Sequence, residues 1–453
     1  MVRNQCLWTI VTHLLTLESI LSWSTPRLGD KRCLQKMYSA LDSNVVLRPS
    51  TDPSAFDSLK VGMARVHRYS RSTTETEYVM WYHGRSVEMN AESQSLPPLS
   101  TGRIGRATSR NGLHWERSIE GSLSEDIQGV TLGLNKESWW SFDTSHIGLG
   151  QVLLPMSNPS VITEGGVYLM YYMGGGYDES AASHYLESPS SDMDSIKMKG
   201  MAMKIGVAIS QDGITFGRVE GDDPSGAIMV PYTKSDNPNI QSKLSMKDEH
   251  DKLVVLEEEL YCAWPDVGLT GCTETDADLG IKKRKFYMYY STMLKACKSK
   301  AIALAVSDDG FRWYKRGTCL RPGVSKDSLD SGGVSRCHVV RKVDAQTREA
   351  TNGWLMFYEG VSKADGKHRI LVAESNDGFE WRKFGVALDI GDSDAWDSKG
   401  VGSPHIIRLD DGSCRMYYTG NGPDGSTAIG VAKGNLSKVM EWEREQAQFS
   451  FLS

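Results

Sequence analysis

Two sets of side chains in this sequence have types and spacing suited to chemistry. The first is a series of carboxylates. Asp57, Glu258, Asp330 and Asp397 each stand seven residues ahead of one column: Ala64, Pro265, Cys337 and Pro404. Asp143, in SFDTSH, looks like the same element with extra residues before Pro159. Paired acids a few ångströms apart are what cleavage of a glycosidic bond requires, about 5–5.5 Å for retention and about 6.5–9.5 Å for inversion. Asp57, Asp143 and Glu258 lie in three successive segments and are the candidate catalytic acids. A structural reading stands beside this one, because short acidic side chains also cap loops through backbone N–H groups.

The second set flanks the same column. The residues after Ala64, Pro159, Pro265, Cys337 and Pro404 are Arg65, Ser160, Asp266, His338 and His405. Those before it are Met63, Asn158, Trp264, Arg336 and Ser403. Positions two apart on a strand share a face, so both sets are expected to point together. Their identity changes from segment to segment, as a binding site requires. Arg65, Asn158, Trp264, Asp266, Arg336, His338 and His405 are the candidate ligand-binding residues. Arginine offers a planar fork of donors and tryptophan a flat apolar face. Asp266, His338 and His405 also have the donor types of a transition-metal site, but spacing does not bring them together, and no metal or cofactor is assigned. In the alternative reading these groups line a wet channel and satisfy one another. Glu359 is a further acid candidate. His83 and His146 stand alone and read as structural histidines.

The elements that position these residues are repeats. An aromatic run occurs five times: YVMWYHG at Tyr78, YLMYYMG at Tyr168, FYMYYST at Phe286, WLMFYEG at Trp354 and RMYYTG at Arg415. A short alternating run follows each, from IGRATS at Ile104 to IGVAKG at Ile429. Four of these lead into a turn phrase: SRNGLHW, SQDGITF, SDDGFRW and SNDGFEW. Alternation rich in β-branched and aromatic residues reads as antiparallel strands, and Asn-Gly or Asp-Gly as a hairpin tip. The turn aspartates Asp212, Asp309 and Asp377 therefore belong to the architecture. A further short strand precedes each aromatic run, placed at Val61, Met156, Ala263, Val334 and Val401. Four strands repeated five times predict an all-β, five-bladed β-propeller of four-stranded antiparallel blades.

The chain has 453 residues, a formal net charge of −6 and 40% apolar residues. With no basic face, nucleic acid is excluded as a general partner. No apolar run reaches the ~20 residues of a membrane span, so no membrane partner is expected. The KKRK block at Lys282 reads as a solvated loop. Residues 1–37 read as a leader or disordered arm and 38–453 as the propeller. The eight cysteines show no tight pairing. Cys262 and Cys272 could bridge a loop, but buried thiols and a reducing compartment such as a plastid are favoured.

The inner strand with its proline, the YMYYxG strand and the IGxAxSxDGxxW hairpin together resemble the glycosyl hydrolase five-bladed propeller superfamily. This is the arabinanase, levansucrase and invertase type, spanning glycoside hydrolase families 43, 32, 62 and 68. The resemblance runs from about Tyr38 to the C-terminus. It implies three acids on inner strands: an aspartate base or nucleophile, an aspartate before a proline and a glutamate near an inner-strand proline. The second position here holds Asn158 and the third Trp264. An amide and an indole cannot titrate as carboxylic acids, so these departures count against hydrolysis. The leading expectation is a glycoside hydrolase-like protein that binds carbohydrate in its axial funnel. The alternative is a non-catalytic scaffold whose long loops grip a protein partner.

Overall fold

The structure is a computed structural model. It describes residues 44–70, 75–86, 102–121, 127–154, 166–185, 197–234, 256–269, 274–275, 282–283, 285–344, 347 and 350–447. The alternating runs form strands, gathered into five antiparallel blades. Blade one contains Lys60–Ser70, Thr76–Arg85 and Gly102–Ser109, with an outer strand split into Glu116–Arg117 and Val130–Leu132. Blade two contains His146–Leu153, Tyr168–Gly175, Lys204–Ser210 and Gly217–Val219. Blade three contains Glu259–Leu269, Phe286–Leu294, Ser299–Ser307 and Tyr314–Leu320. Blade four contains Gly333–Val343, Ala350–Val361, His368–Ser375 and Arg382–Leu388. Blade five contains Gly400–Arg408, Cys414–Asn421, Thr427–Asn435 and Lys438–Arg444. No helix among the described residues is long and apolar enough to cross a membrane.

The repeated turn phrase fastens blade to blade. In SDDGFRW, Asp309 Oδ1 accepts from the backbone N–H groups of Phe311 and Arg312 at 2.7 and 2.8 Å. Gly310 takes φ +81°, a conformation that glycine adopts without steric cost. Its carbonyl, turned outward, accepts from Tyr171 Oη of blade two at 3.0 Å. The same bond recurs from Tyr289 to Gly378, from Tyr417 to Gly112 and from the Trp81 indole to Gly213. Blade five lacks the turn phrase, and the donor that would serve it is Phe357, which has no hydroxyl. Phe357 packs edge-on against Trp442 instead, with centroids 5.6 Å apart. Turn and donor are absent together.

The ring closes through the start of the described chain. Val45–Leu47 pairs with Thr427–Asn435 of blade five. Leu47 faces Ile429 as Leu320 faces Ile302 and Leu388 faces Ile370. This segment is therefore the missing half of blade five's outer strand. Asn44 anchors it, donating to Tyr418 Oη at 2.7 Å and accepting from the Trp396 indole at 3.0 Å.

One strand differs from expectation. The inner strand of blade two is His146–Leu153, not a strand at Met156. Met156, Asn158, Pro159 and Ser160 lie outside the described residues. The seven-residue spacing from the entry acid holds, running from Asp143 to Gly150, with glycine in the proline column. A Cβ on Gly150 would sit 2.4 Å from Pro265 Cγ of the next blade, so only glycine fits. Cys262 is a free, buried thiol, and Cys272 lies outside the described residues.

Candidate functional site

The entry acids form one five-fold pattern. Asp57 accepts from Tyr82 Oη at 2.9 Å and Arg117 Nε at 2.7 Å. Asp143 accepts from Tyr172 Oη at 2.9 Å and Arg218 Nε at 2.6 Å. Asp330 is held by Tyr358 and Lys383, and Asp397 by Tyr418 and Arg444. In blade three the equivalent acid is Glu259, held by Tyr290 and Lys315. Glu258, the expected member, instead binds Lys295 and the Lys234 backbone at the surface. The longer glutamate side chain accounts for the shift, since it reaches the station from one residue nearer the bulge. Each acid ties the second strand of its blade to the outermost one. Asp57 and Asp143 are fully buried in this role.

Deeper along the axis, a lower tier is formed by Arg65, Gln151, Asp266, His338 and His405. Asp266 is its hub. Its Oδ1 meets Gln151 Nε2 at 3.0 Å and His338 Nδ1 at 2.9 Å, while Oδ2 accepts from the Val339 N–H at 2.8 Å. Arg65 donates to the carbonyls of Gly150, Ala64 and Pro404. His338 and His405 lie 4.4 Å apart, and His405 Nε2 bonds the Val66 carbonyl at 3.0 Å. All of these residues are buried. The sequence column thus does converge, with Gln151 in the place expected for Ser160. Its groups are spent on one another, apart from His405 Nδ1, which has no partner.

Between the tiers every inner strand bulges, so the two flanking columns do not lie at one level. Met63, Trp264, Arg336 and Ser403 take positive φ of 41–53°, a costly conformation for side chains of this size. The amides so exposed are caught by the preceding blade. Met63 N–H donates to Thr419 Oγ1 at 2.9 Å, Arg336 N–H to Ser291 Oγ at 2.8 Å and Ser403 N–H to Glu359 Oε2 at 3.2 Å. The residue that follows the paired aromatics thus caps the next blade's bulge.

This arrangement builds an upper tier at the end where the inner strands begin. Arg336 stacks its guanidinium 4.5 Å from the Trp264 ring and donates to both oxygens of Glu359, at 3.0 and 3.1 Å. Glu359 also meets His368 Nδ1 at 2.7 Å. Burial alone would raise the Glu359 pKa, but Arg336 and His368 outweigh it and hold the carboxyl at about 2. Arg85, His83, His146 and Tyr261 complete the tier. Burial pushes the His83 pKa well down, and the neighbouring Arg85, His146, Arg336 and Arg103 push the same way. Burial and Arg336 lower Arg85 to about 9. His83 Nε2, His146 Nδ1, Tyr261 Oη and Arg336 Nε are buried without partners.

A cap lies over this tier. Tyr185, Met201 and Met203, from the insertion after Tyr168–Gly175, pack with Met63, Met173, Met293, Tyr261 and Trp264. Trp264 is only 3% exposed. The open stacking platform expected there is covered, with Arg336 against its ring. His83 and His146 stand isolated in the sequence, and the fold brings both into this tier. A signal was available for His83, which follows the paired aromatics as Glu359 does, and for Arg85, two residues on and in phase with it. A separate cleft of about 310 Å³ lies at the blade-two hairpin tip, lined by Val167, Ile209, Ser210, Gln211, Asp212 and Thr215. Asp212 is already committed there to Ser210 and the turn backbone.

No protein-family model matches the sequence, and no curated protein does either. Solved structures do resemble the fold. A glycosyl hydrolase from Bacteroides ovatus aligns with TM-score 0.52 at 13% identity, covering 89% of this chain and 94% of that one. The protein BT0996, solved as an RGII complex, aligns with TM-score 0.51 at 15% identity, covering 93% and 98%. A further glycoside hydrolase aligns with TM-score 0.50 at 14% identity, covering 94% and 99%. At these identities the likeness is one of fold. The chain has the propeller architecture of glycoside hydrolase-like proteins.

Proposed function

We propose that this protein binds carbohydrate at the upper tier of its axial channel and does not hydrolyse it. The observation that carries the reading is the set of buried polar atoms without partners around Trp264: His83 Nε2, His146 Nδ1, Tyr261 Oη and Arg336 Nε. Buried polar groups are ordinarily paired, and an exception calls for an explanation. A polyhydroxylated ligand supplies both donors and acceptors, and aromatic rings suit its apolar faces. The glycoside hydrolases of similar fold support the ligand class.

Among the described residues, hydrolysis lacks its acids in this arrangement. A general acid works best with a pKa near the operating pH, and Glu359 is held at about 2. Asp266 is occupied by Gln151, His338 and the Val339 amide. Asp57 and Asp143 bind tyrosine and arginine within their own blades. The ligand enters by displacing the methionine-rich cap, whose flexible side chains repack readily.

Calorimetric titration against uronic-acid, arabinose, xylose and fructose glycans tests the reading. Binding is expected for at least one class, without release of reducing ends. Turnover that disappears in Asp57→Asn or Asp143→Asn while folding persists would restore the hydrolytic assignment of Asp57, Asp143 and Glu258. No binding anywhere in the panel would favour the scaffold presenting loops to a protein partner.

A further inference from the structure

Arg85 is 9% exposed, its pKa is lowered by burial and by Arg336 with no anion acting to raise it, and among the described residues no hydrogen bond or ion pair holds its guanidinium. A buried guanidinium without an anion is costly, since desolvation goes uncompensated. Two arginines placed within each other's field compound that cost. Arg336 is partly compensated, because Glu359 takes its Nη1, but its Nε is not. Lys300 adds to the positive side, its pKa brought to about 8 by burial and Arg336 despite Glu359. At neutral pH Arg85 remains charged.

The remaining groups sort by role. Arg85, Arg336 Nε and Tyr261 Oη are donors. His146 Nε2 bonds the Gly200 carbonyl at 2.6 Å and therefore carries the proton, which leaves Nδ1 as an acceptor. An ionised carboxylate has no proton to give to an acceptor, whereas sugar hydroxyls do. A neutral sugar would leave the excess positive charge unmet. A simple carboxylate ion would leave His146 Nδ1 unmet. One molecule carrying both an oxyanion and hydroxyl groups answers these donors and the His146 acceptor together.

We infer that the upper tier selects an acidic sugar, one bearing a carboxylate or phosphate, with Arg85 and Arg336 Nε on the oxyanion and His146 Nδ1 on a hydroxyl. Arginine's planar fork suits either oxyanion. The inference rests on the carbohydrate reading above and narrows it to a ligand class.

The test uses the full chain and matched probes in calorimetry. The probes are a uronic-acid oligosaccharide, the same oligosaccharide with its carboxyls methyl-esterified, a hexose phosphate and inorganic phosphate. The acidic oligosaccharide or the hexose phosphate is expected to bind at least tenfold tighter than the ester, with the preference shrinking as salt rises. Which of the two binds identifies the oxyanion. Arg85→Gln should abolish the preference for acid over ester. Arg85→Lys, which keeps the charge but not the fork, should retain part of it. Equal binding of acid and ester would overturn the inference and leave the carbohydrate reading standing, as would a preference that survives in Arg85→Gln. Inorganic phosphate binding as tightly as the acidic sugars would reduce the site to a free-anion site and overturn the sugar-borne form. Binding of none of the probes would overturn the inference, and binding of a neutral arabinose, xylose or fructose glycan would then leave the carbohydrate reading standing.

Discussion

The two tiers of the channel contain similar residue types and behave oppositely. In the lower tier Asp266 gathers His338, Gln151 and a backbone amide, and Arg65 spans three carbonyls. In the upper tier Arg85 has no hydrogen-bond partner among the described residues, and His83, His146, Tyr261 and Arg336 each have a buried atom left over. Residue type therefore does not separate site from scaffold here; the tiers differ in how far their hydrogen bonding is complete, with His405 Nδ1 left over in the lower tier and four atoms in the upper. A finished polar network rigidifies a core, whereas an unfinished one stores a cost that a ligand can relieve.

The sharpest way to break this comparison is at the lower hub. Asp266→Ala should destabilise the fold by ~3–5 kcal/mol, because it strands His338, Gln151 and the Val339 amide and removes the compensation for Arg65. Urea unfolding would measure this, and the folded fraction should keep its ligand affinity. A loss of binding without loss of stability would reverse the assignment of the tiers. Arg85→Leu should do the opposite, raising stability by ~1 kcal/mol or more as an uncompensated buried cation is removed, while ligand binding falls. A lower melting temperature in this variant would show that Arg85 is structural.

Acid titration gives a prediction of intermediate size. Burial lowers the pKa of His67 and of His146 to about 4, and those of His83 and His405 well below the usual value. The unfolded chain takes up these protons near pH 6.5, before the folded protein does. Stability should therefore be full above pH 6.5 and fall progressively as the pH drops toward 4. Glu359, at about 2, adds a further loss below pH ~4.5. Unfolding curves from pH 7.5 to 4.5 would show the slope, and His146→Gln should flatten it. A stability independent of pH across this window would contradict the burial of neutral histidines. The smallest effect is expected at the rim. Asp309→Ala should cost ~1 kcal/mol, by loss of turn hydrogen bonds, with binding unchanged.

Much of the fold was legible because its devices are repeated. The aromatic runs, the Asp-Gly tips and the entry acids recur at recognisable spacing, and each marks a bond within or between blades. Legibility failed where one cue imitated another. Pro159 in MSNPSVI matched the proline column, while the strand was held by the less conspicuous Gly150 seven residues after Asp143. In LEEEL, spacing picked Glu258, but side-chain length put Glu259 at the station. The upper tier was harder to see for a physical reason. His83, Arg85, His146, Tyr261 and Arg336 come from four blades, and their meeting depends on bulges that lift Trp264 and Arg336 away from the plain two-residue period. Alternation along a strand predicts a shared face; it does not predict a change of level.

The strand Val45–Leu47 carries a consequence for biogenesis. It is made before any blade, yet its partner Thr427–Asn435 belongs to the last one. At ribosomal speeds of ~5–20 residues per second, the wait is on the order of tens of seconds. Until then an apolar segment has an unpaired edge, and four blades stand as an open arc with two exposed faces. Such edges invite pairing with other chains. The nascent protein is thus most vulnerable just before Thr427–Asn435 is made, and a chaperone able to shield Val45–Leu47 over that interval should raise the yield of closed rings more than one acting on any single blade.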